Sequence, residues 1–187
     1  MKAWEEGDLI HIYAIKYEEM SILGLSEQKG YLYKWSIDLK KGKVVYDSAV
    51  DKEKIACEFP TINQKLIGRK TRYTYVSNTL EVGSAPLMNS VSKFDLDTHT
   101  RLSTIQFGDD CYGGEFFFAP RVDAKSEDDG YLMSFVHDEK NNISYFYIVD
   151  ALQFKLCAKV KLLERVPYGF HGKWVNRQQI ESQNKKN

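Results

Sequence analysis

Apolar and polar residues alternate along most of this chain in short runs, the two-residue period of strands that bury one face. Residues 9–17, 31–37, 43–46, 72–78, 91–96, 101–107, 131–136, 143–149 and 155–162 carry that pattern between Gly-, Asn-, Asp- or Lys-rich turns and are predicted strands. Nowhere does apolar spacing of i, i+3, i+4, i+7 persist for three turns, and residues 62–70 allow at most one short helical turn. The twelve Tyr and ten Phe strengthen the reading, because aromatic rings suit pleated, half-buried surfaces. The expected class is all-β.

An internal repeat refines this. Ile37-Asp38-Leu39, Phe94-Asp95-Leu96 and Val149-Asp150-Ala151 place the same step at a strand-to-turn boundary, 57 and then 55 residues apart. Tyr13-Ala14, Tyr75-Val76 and Phe135-Val136 recur 62 and then 60 residues apart. An all-β unit of this length is similar to a propeller blade, for which roughly 40–50 residues and four strands are usual. The 187 residues hold about three such units, whereas propellers close with about 4–8 blades. The prediction is therefore an incomplete propeller, with strand edges and an apolar blade face left uncovered. A β-sandwich whose hairpins resemble one another is the alternative.

Composition narrows the function. With 43% apolar and 28% charged residues the chain reads as one soluble globular unit, and 26 basic against 26 acidic residues leave no field that favours nucleic acid. No apolar run reaches the ~18–20 residues of a membrane span, and the acidic opening through Glu5, Glu6 and Asp8 is unlike an export signal. Cys57, Cys111 and Cys157 lack Cys-x-x-Cys spacing and are expected to be reduced, buried small hydrophobes.

Candidate chemistry is sparse. His99 lies in a polar turn and is expected to be solvated, while His11 and His137 read as half-exposed strand residues. His171 stands apart: Pro167 fixes one φ, and Gly169 and Gly172 permit tight turns and close backbone approach, an arrangement that would hold the imidazole at a fixed place for a catalytic or metal role, with a packed structural loop as the other reading. Glu58 and Glu115 sit within apolar strand-like sequence, where a carboxylate requires a partner. A histidine N–H would serve, as behind a metal ligand. A cation from Arg69-Lys70-Thr71-Arg72 would serve equally. Phosphate-loop, dinucleotide, serine-elbow and His-Glu-x-x-His signatures are absent, and Glu127-Asp128-Asp129-Gly130 reads as a turn without calcium-loop spacing.

Five ordered stretches carry a resemblance: Ala3-Trp4-Glu5-Glu6; Glu58-Phe59-Pro60 with Gly68-Arg69-Lys70-Thr71-Arg72-Tyr73; Tyr112-Gly113-Gly114-Glu115; Glu127-Asp128-Asp129-Gly130-Tyr131; and Arg165-Val166-Pro167-Tyr168-Gly169-Phe170-His171-Gly172. Together they resemble the carotenoid cleavage dioxygenases, the family that includes the retinal pigment epithelium isomerase. The resemblance implies that residues 1–175 are the C-terminal blades of a seven-bladed β-propeller, followed by a polar tail, 176–187, without fixed structure. It implies a non-haem Fe(2+) on the propeller axis held by four histidines, with His171 as the last ligand and Glu58 and Glu115 as carboxylates behind ligand histidines. It implies carotenoid or apocarotenoid and O2 as substrates, one polyene double bond being cleaved to two carbonyl products. Phe116, Phe118 and Phe170 are candidates for an apolar substrate tunnel, with core packing as the other reading of each.

Departures bear on activity. Lys2 stands where the family has an Asn that follows a ligand histidine by three residues, so that ligand is expected just upstream of Met1, and two more further upstream. None of His11, His99 or His137 occupies a ligand position; Leu163-Glu164 and Phe116 replace family prolines. The chain alone is thus expected to lack three ligands, and the alternative to an enzyme is a truncated, non-catalytic propeller fragment that binds no iron or only meets a full-length relative. Plant-like wording in Gly113-Gly114-Glu115 and His137-Asp138-Glu139-Lys140 points to a plastid, otherwise the cytoplasm. Nucleic acid is not an expected partner, and membrane contact is expected only through an N-terminal part outside this sequence.

Overall fold

The computed structural model describes residues 2–19, 29–82, 85–169 and 171–184. Three antiparallel sheets follow one another along the chain. The first runs β1 (Lys2–Glu6), β2 (Leu9–Tyr17), β3 (Gly30–Asp38), β4 (Lys43–Ala49), and the second β5 (Cys57–Thr61), β6 (Tyr73–Val82), β7 (Ala85–Asp95), β8 (Thr100–Gln106). In the third, β10 (Phe117–Pro120), β11 (Gly130–Asp138), β12 (Ile143–Asp150) and β13 (Lys155–Lys161) pair in order, with β9 (Cys111–Tyr112) on the end of β11. Each of these is a four-stranded meander, the form of a propeller blade. A 3-10 turn at Gln64–Leu66 fills the place where one short helical turn was expected.

The repeated aspartates explain the hairpins. Asp38 Oδ1 accepts the Lys41 N–H at 2.9 Å, Asp95 Oδ1 that of Thr98 at 3.2 Å, and Asp150 Oδ1 that of Gln153 at 2.8 Å. Four residues after each aspartate the backbone turns left-handed, at Gly42 (φ 60°), His99 (φ 54°) and Phe154 (φ 50°). A short carboxylate that caps a turn is what this geometry selects. Asp138 does the same for the β11–β12 turn, through Asn141 at 2.9 Å. The aromatic repeat is looser: Tyr13 and Phe135 lie four positions from the residue opposite their hairpin aspartate, but Tyr75 only two.

The β-sandwich alternative fails because the middle sheet is covered on both faces. Trp4, Tyr13 and Leu32 of the first blade pack on Cys57, Val76 and Phe94 of the second. On the other side Tyr75, Val91 and Phe107 pack on Phe116, Phe118, Leu132 and Val136 of the third. Each fully buried Leu or Phe contributes about 1.5–3 kcal/mol, so these two seams dominate the stability of the stack. The outward faces are less covered: Ile12 and Trp35 on the first blade are half-buried, and Phe135 on the third is 45% exposed.

Glu127-Asp128-Asp129-Gly130 is more than a turn. Glu127 Oε1 accepts the N–H groups of Arg72 (2.8 Å) and Tyr73 (2.6 Å), and Asp128 Oδ2 receives the buried Lys93 ammonium at 2.7 Å. Asp129 pairs with Arg121 at 3.1 Å, and a Cβ on Gly130 would stand 2.5 Å from Ala119 O. Glu127 and Asp128 clasp the second blade to the third, while Asp129 and Gly130 hold the loop to its own blade.

Two expectations differ from the structure. Cys157 is exposed on edge strand β13, although Cys57 and Cys111 are buried as predicted, with burial pushing the Cys57 thiol up to about 12. The polar tail contains α1 (Arg177–Asn184), whose described residues are all exposed. No helix among the described residues is long and apolar enough to cross a membrane.

Candidate functional site

The site forms where the ends of the second and third blades meet the segment that follows β13. Glycine makes the meeting possible. Gly113 lies so close to Phe107 that a Cβ would stand 2.9 Å from the ring, and the Cβ of any residue at 114 would stand 3.4 Å from Gly169 O. Gly113 N–H donates to Met88 O at 2.7 Å, and Gly114 O accepts Ser77 Oγ–H at 2.8 Å. Ser77 is also the register partner of Glu58, so one β6 residue fixes the backbones beside both candidate carboxylates. Ser134 Oγ–H then donates to Glu115 O at 2.8 Å.

Glu115 and His171, 56 residues apart, meet here. Glu115 Oε2 lies 3.3 Å from His171 Nδ1 and accepts the Gly172 N–H at 3.1 Å. Gly172 rests on the Phe117 ring, whose Cζ would be 2.4 Å from an added Cβ, so a larger residue there would have to displace the ring for the backbone to reach the carboxylate. With a carboxylate facing Nδ1–H, the tautomer is fixed and Nε2 becomes the nitrogen that carries the lone pair.

Glu58 approaches from the second blade. Its Oε2 accepts the N–H of Phe59 at 3.1 Å, and Phe59 takes a left-handed conformation (φ 52°) where the β5–β6 register breaks between Glu58 and Thr61. That conformation is strained for an aromatic residue, and such strain persists where surrounding structure enforces it. The Phe59 ring meets the His171 imidazole edge-on, with centroids 5.5 Å apart. Burial pushes the Glu58 carboxyl above the ordinary glutamate value, partly offset by the Phe59 N–H and by the charge that His171 can carry. Phe59 is the contact sequence reasoning missed; its place before Pro60 was the available signal.

The remaining histidines stand apart from this cluster. His11 is buried rather than half-exposed, stacked on Trp4 at 4.8 Å with Nδ1 2.8 Å from Ser36 Oγ. His137 is buried as well, with Nδ1 2.9 Å from Ser144 Oγ. His99 is not a solvated turn residue: Tyr13 Oη, which donates to Leu96 O, lies 3.2 Å from His99 Nε2, and Tyr46 Oη lies 3.3 Å from Nδ1. Burial holds His11 and His99 below the ordinary histidine value, with the Lys34 ammonium adding to it.

Phe116 and Phe118 belong to the seam between blades. Phe116 is 1% exposed against Phe107, and Phe118 stacks on Tyr75 at 6.1 Å, so core packing accounts for both. Phe170 lies outside the described residues. A cleft of about 510 Å³ opens between the first two blades beside Asp51, His99 and Arg101, and includes none of the residues around His171.

The donor chemistry fits one ligand of a metal site. A carboxylate-held imidazole is the arrangement of a ligating histidine. Among the described residues, however, no group of three or more His, Cys, Asp or Glu is placed to hold a metal ion.

Residues 1–176 match the retinal pigment epithelial membrane protein family. The chain is 38% identical over 202 residues to the zeaxanthin 7,8(7',8')-cleavage dioxygenase of Crocus sativus, covering 98% of this chain and 52% of the relative. It is 33% identical over 211 residues to carotenoid 9,10(9',10')-cleavage dioxygenase 1 of Pisum sativum, covering 98% and 37%. A crystal structure of cobalt-substituted Synechocystis apocarotenoid oxygenase superposes with a TM-score of 0.82 at 26% identity, over 93% of this chain and 38% of that one. The chain thus spans from one fifth (20%) to about half (52%) of the length of the curated relatives it matches. It belongs to the retinal pigment epithelial membrane protein family, whose curated relatives are carotenoid cleavage dioxygenases.

Proposed function

We propose that this chain forms part of an Fe(II)-dependent dioxygenase that cleaves one double bond of a carotenoid or apocarotenoid with O2. The observation that carries the reading is the Glu115–His171 contact, a carboxylate on the ring nitrogen opposite the one that would bind metal. His171 is the ligand this chain supplies. Glu115 holds the proton on Nδ1 and, through the Gly172 N–H, holds the backbone that carries the ring. Glu58 serves a second ligand histidine from outside the described residues, in a setting where burial makes an N–H partner favourable. Bound ferrous iron supplies the redox chemistry that divides a C=C bond and the two atoms of O2 into two carbonyl groups. The blade seams exclude water on one side, and Phe59 and Phe117 present apolar surface beside His171. Chloroplastic and chromoplastic relatives support a plastid location.

With one ligand among the described residues, the chain alone is expected to hold no iron. Bound iron is measured by elemental analysis on the 187-residue chain and on the protein joined to the blades missing from it. Stoichiometric iron only in the joined protein, lost in His171→Ala while Glu58→Gln and Glu115→Gln weaken it about 10–100-fold, supports the reading. Stoichiometric iron in the joined protein that survives His171→Ala refutes it.

A further inference from the structure

The residues that deliver His171 have no regular structure, so their polar groups need partners elsewhere. Val166 N–H donates to Ser144 Oγ at 2.9 Å, beside the Leu162 N–H bond to Ser144 O at 2.9 Å. Ser144 is the register partner of His137, a strand histidine only 2% exposed. Arg165 Nε–H reaches His137 Nε2 at 3.4 Å. Arginine can only donate, so Nε2 is the acceptor and His137 Nδ1–H must be the donor to Ser144 Oγ at 2.9 Å. Tyr168 forms T-shaped ring contacts with His137 and Tyr112, with centroids 6.3 Å and 6.4 Å apart. Its hydroxyl donates to Glu139, which also lies 3.7 Å from the Arg165 guanidinium. From Tyr168 the chain passes over Gly114 at Gly169 and arrives at Glu115 as His171 and Gly172.

We propose that His137, Ser144 and Glu139, at the β11–β12 end of the third blade, are positioning residues that anchor 165–168 and thereby set the place of His171. The Arg165 donor at Nε2 selects the Nδ1–H tautomer of His137, with Ser144 Oγ as its acceptor. The charged groups facing it are Arg165 and Glu139, with Asp138 adjacent on β11. Glu115 fixes the direction of the His171 ring, while the anchor fixes the backbone that brings the ring within its reach. The inference concerns the same site as the proposed dioxygenase and gains its catalytic meaning from that reading.

The test is made on the full 187-residue chain with Arg165→Met/Tyr168→Phe, which removes the Arg165 contacts to His137 and Glu139 and the Tyr168 hydroxyl contact to Glu139, and leaves the Val166–Ser144 bond and the blade core intact. Hydrogen exchange at the Gly172 amide and long-range 15N–1H spectra of the His171 ring are read together. Gly172 should exchange on the order of tenfold faster per net hydrogen bond lost. The His171 ring should pass from one tautomer to an average, while the Ala151 and Leu96 amides, bonded within the blades, stay as protected as before. His137→Phe should act alike, and His137→Gln, which keeps an acceptor for Arg165, should restore much of the protection. Unchanged Gly172 exchange and His171 spectra both in Arg165→Met/Tyr168→Phe and in Ser144→Ala, which removes the acceptor of the Val166 N–H, overturn the proposal whether or not the His137 variants fold. So does equal acceleration at Ala151 and Leu96, which would make the order of His171 a property of the whole stack. None of these readings needs metal, so a loosened His171 in a joined protein that never binds iron would leave the anchor standing and refute the ligand role.

Discussion

Asp128→Ala isolates the clasp between the second and third blades. Lys93 and Asp128 are 5% and 4% exposed, with Nζ 2.7 Å from the carboxylate, 2.8 Å from Ala151 O and 4.5 Å from the Tyr73 ring centroid. Removing one member of such a pair leaves an uncompensated charge in a dry seam, a loss of about 3–5 kcal/mol. The Ala151 carbonyl and the Tyr73 ring remain, which places the expectation near the low end, about 3 kcal/mol. For a chain of this size, where each kcal/mol moves the midpoint by about 2–4 °C, thermal unfolding followed by circular dichroism should fall by roughly 6–12 °C. Lys93→Met with Asp128→Leu removes both charges and should recover most of that loss, because an apolar pair of similar volume is often neutral or stabilising. A single variant that costs less than about 1 kcal/mol, or a double variant no more stable than the single, refutes the account of the pair as coupled and dry.

Gly130→Ala places a methyl 2.5 Å from Ala119 O, a backbone atom that cannot swing away, so urea unfolding should show about 1–3 kcal/mol lost. Lys2 is 7% exposed beneath Trp4 and Tyr13, and burial lowers its ammonium to about 8 from 10.5. The unfolded chain therefore binds more protons between those values, and stability should rise with pH across that window by up to about 3 kcal/mol. Lys2→Met should flatten the rise, and a wild-type minus variant difference in unfolding free energy that is equal at pH 7 and pH 10.5 argues against it. Glu115→Ala should change global stability by less than about 1 kcal/mol, since His171 is 66% exposed in its side chain. The same change should release the His171 ring tautomer in 15N–1H spectra; a ring unaffected by it would remove Glu115 from the site.

Alternation revealed β2, β3 and β4, β6, β7 and β8, and β11, β12 and β13, because their neighbours in the chain are also their neighbours in the sheet. The first strand of each blade escaped it for local reasons. β5 breaks its period at Phe59 and Pro60 in a left-handed bulge, Phe117-Phe118-Ala119-Pro120 has no period, and β1 is polar at Lys2, Glu5 and Glu6. The hairpin aspartates were legible as a repeat because a capped turn is decided within five residues. Burial of His11 and His137 was not legible: each strand face alone looks half-exposed, and what covers it comes from Trp4 in one case and from Arg165 and Tyr168 in the other.

The same distinction governs the site. Gly169 and Gly172 announce close backbone approach, yet only the fold says what approaches: Gly114 and Phe117. Glu115 could have paired with a nearby cation, and the structure gives it His171 and the Gly172 N–H, with Gly172 lying against the Phe117 ring. Glu127 and Asp128, which an acidic run would assign to solvent or calcium, are consumed by Arg72, Tyr73 and Lys93. The carboxylates therefore divide by what each can reach. Those between blades fasten the stack, and Glu115 at its end remains to face His171.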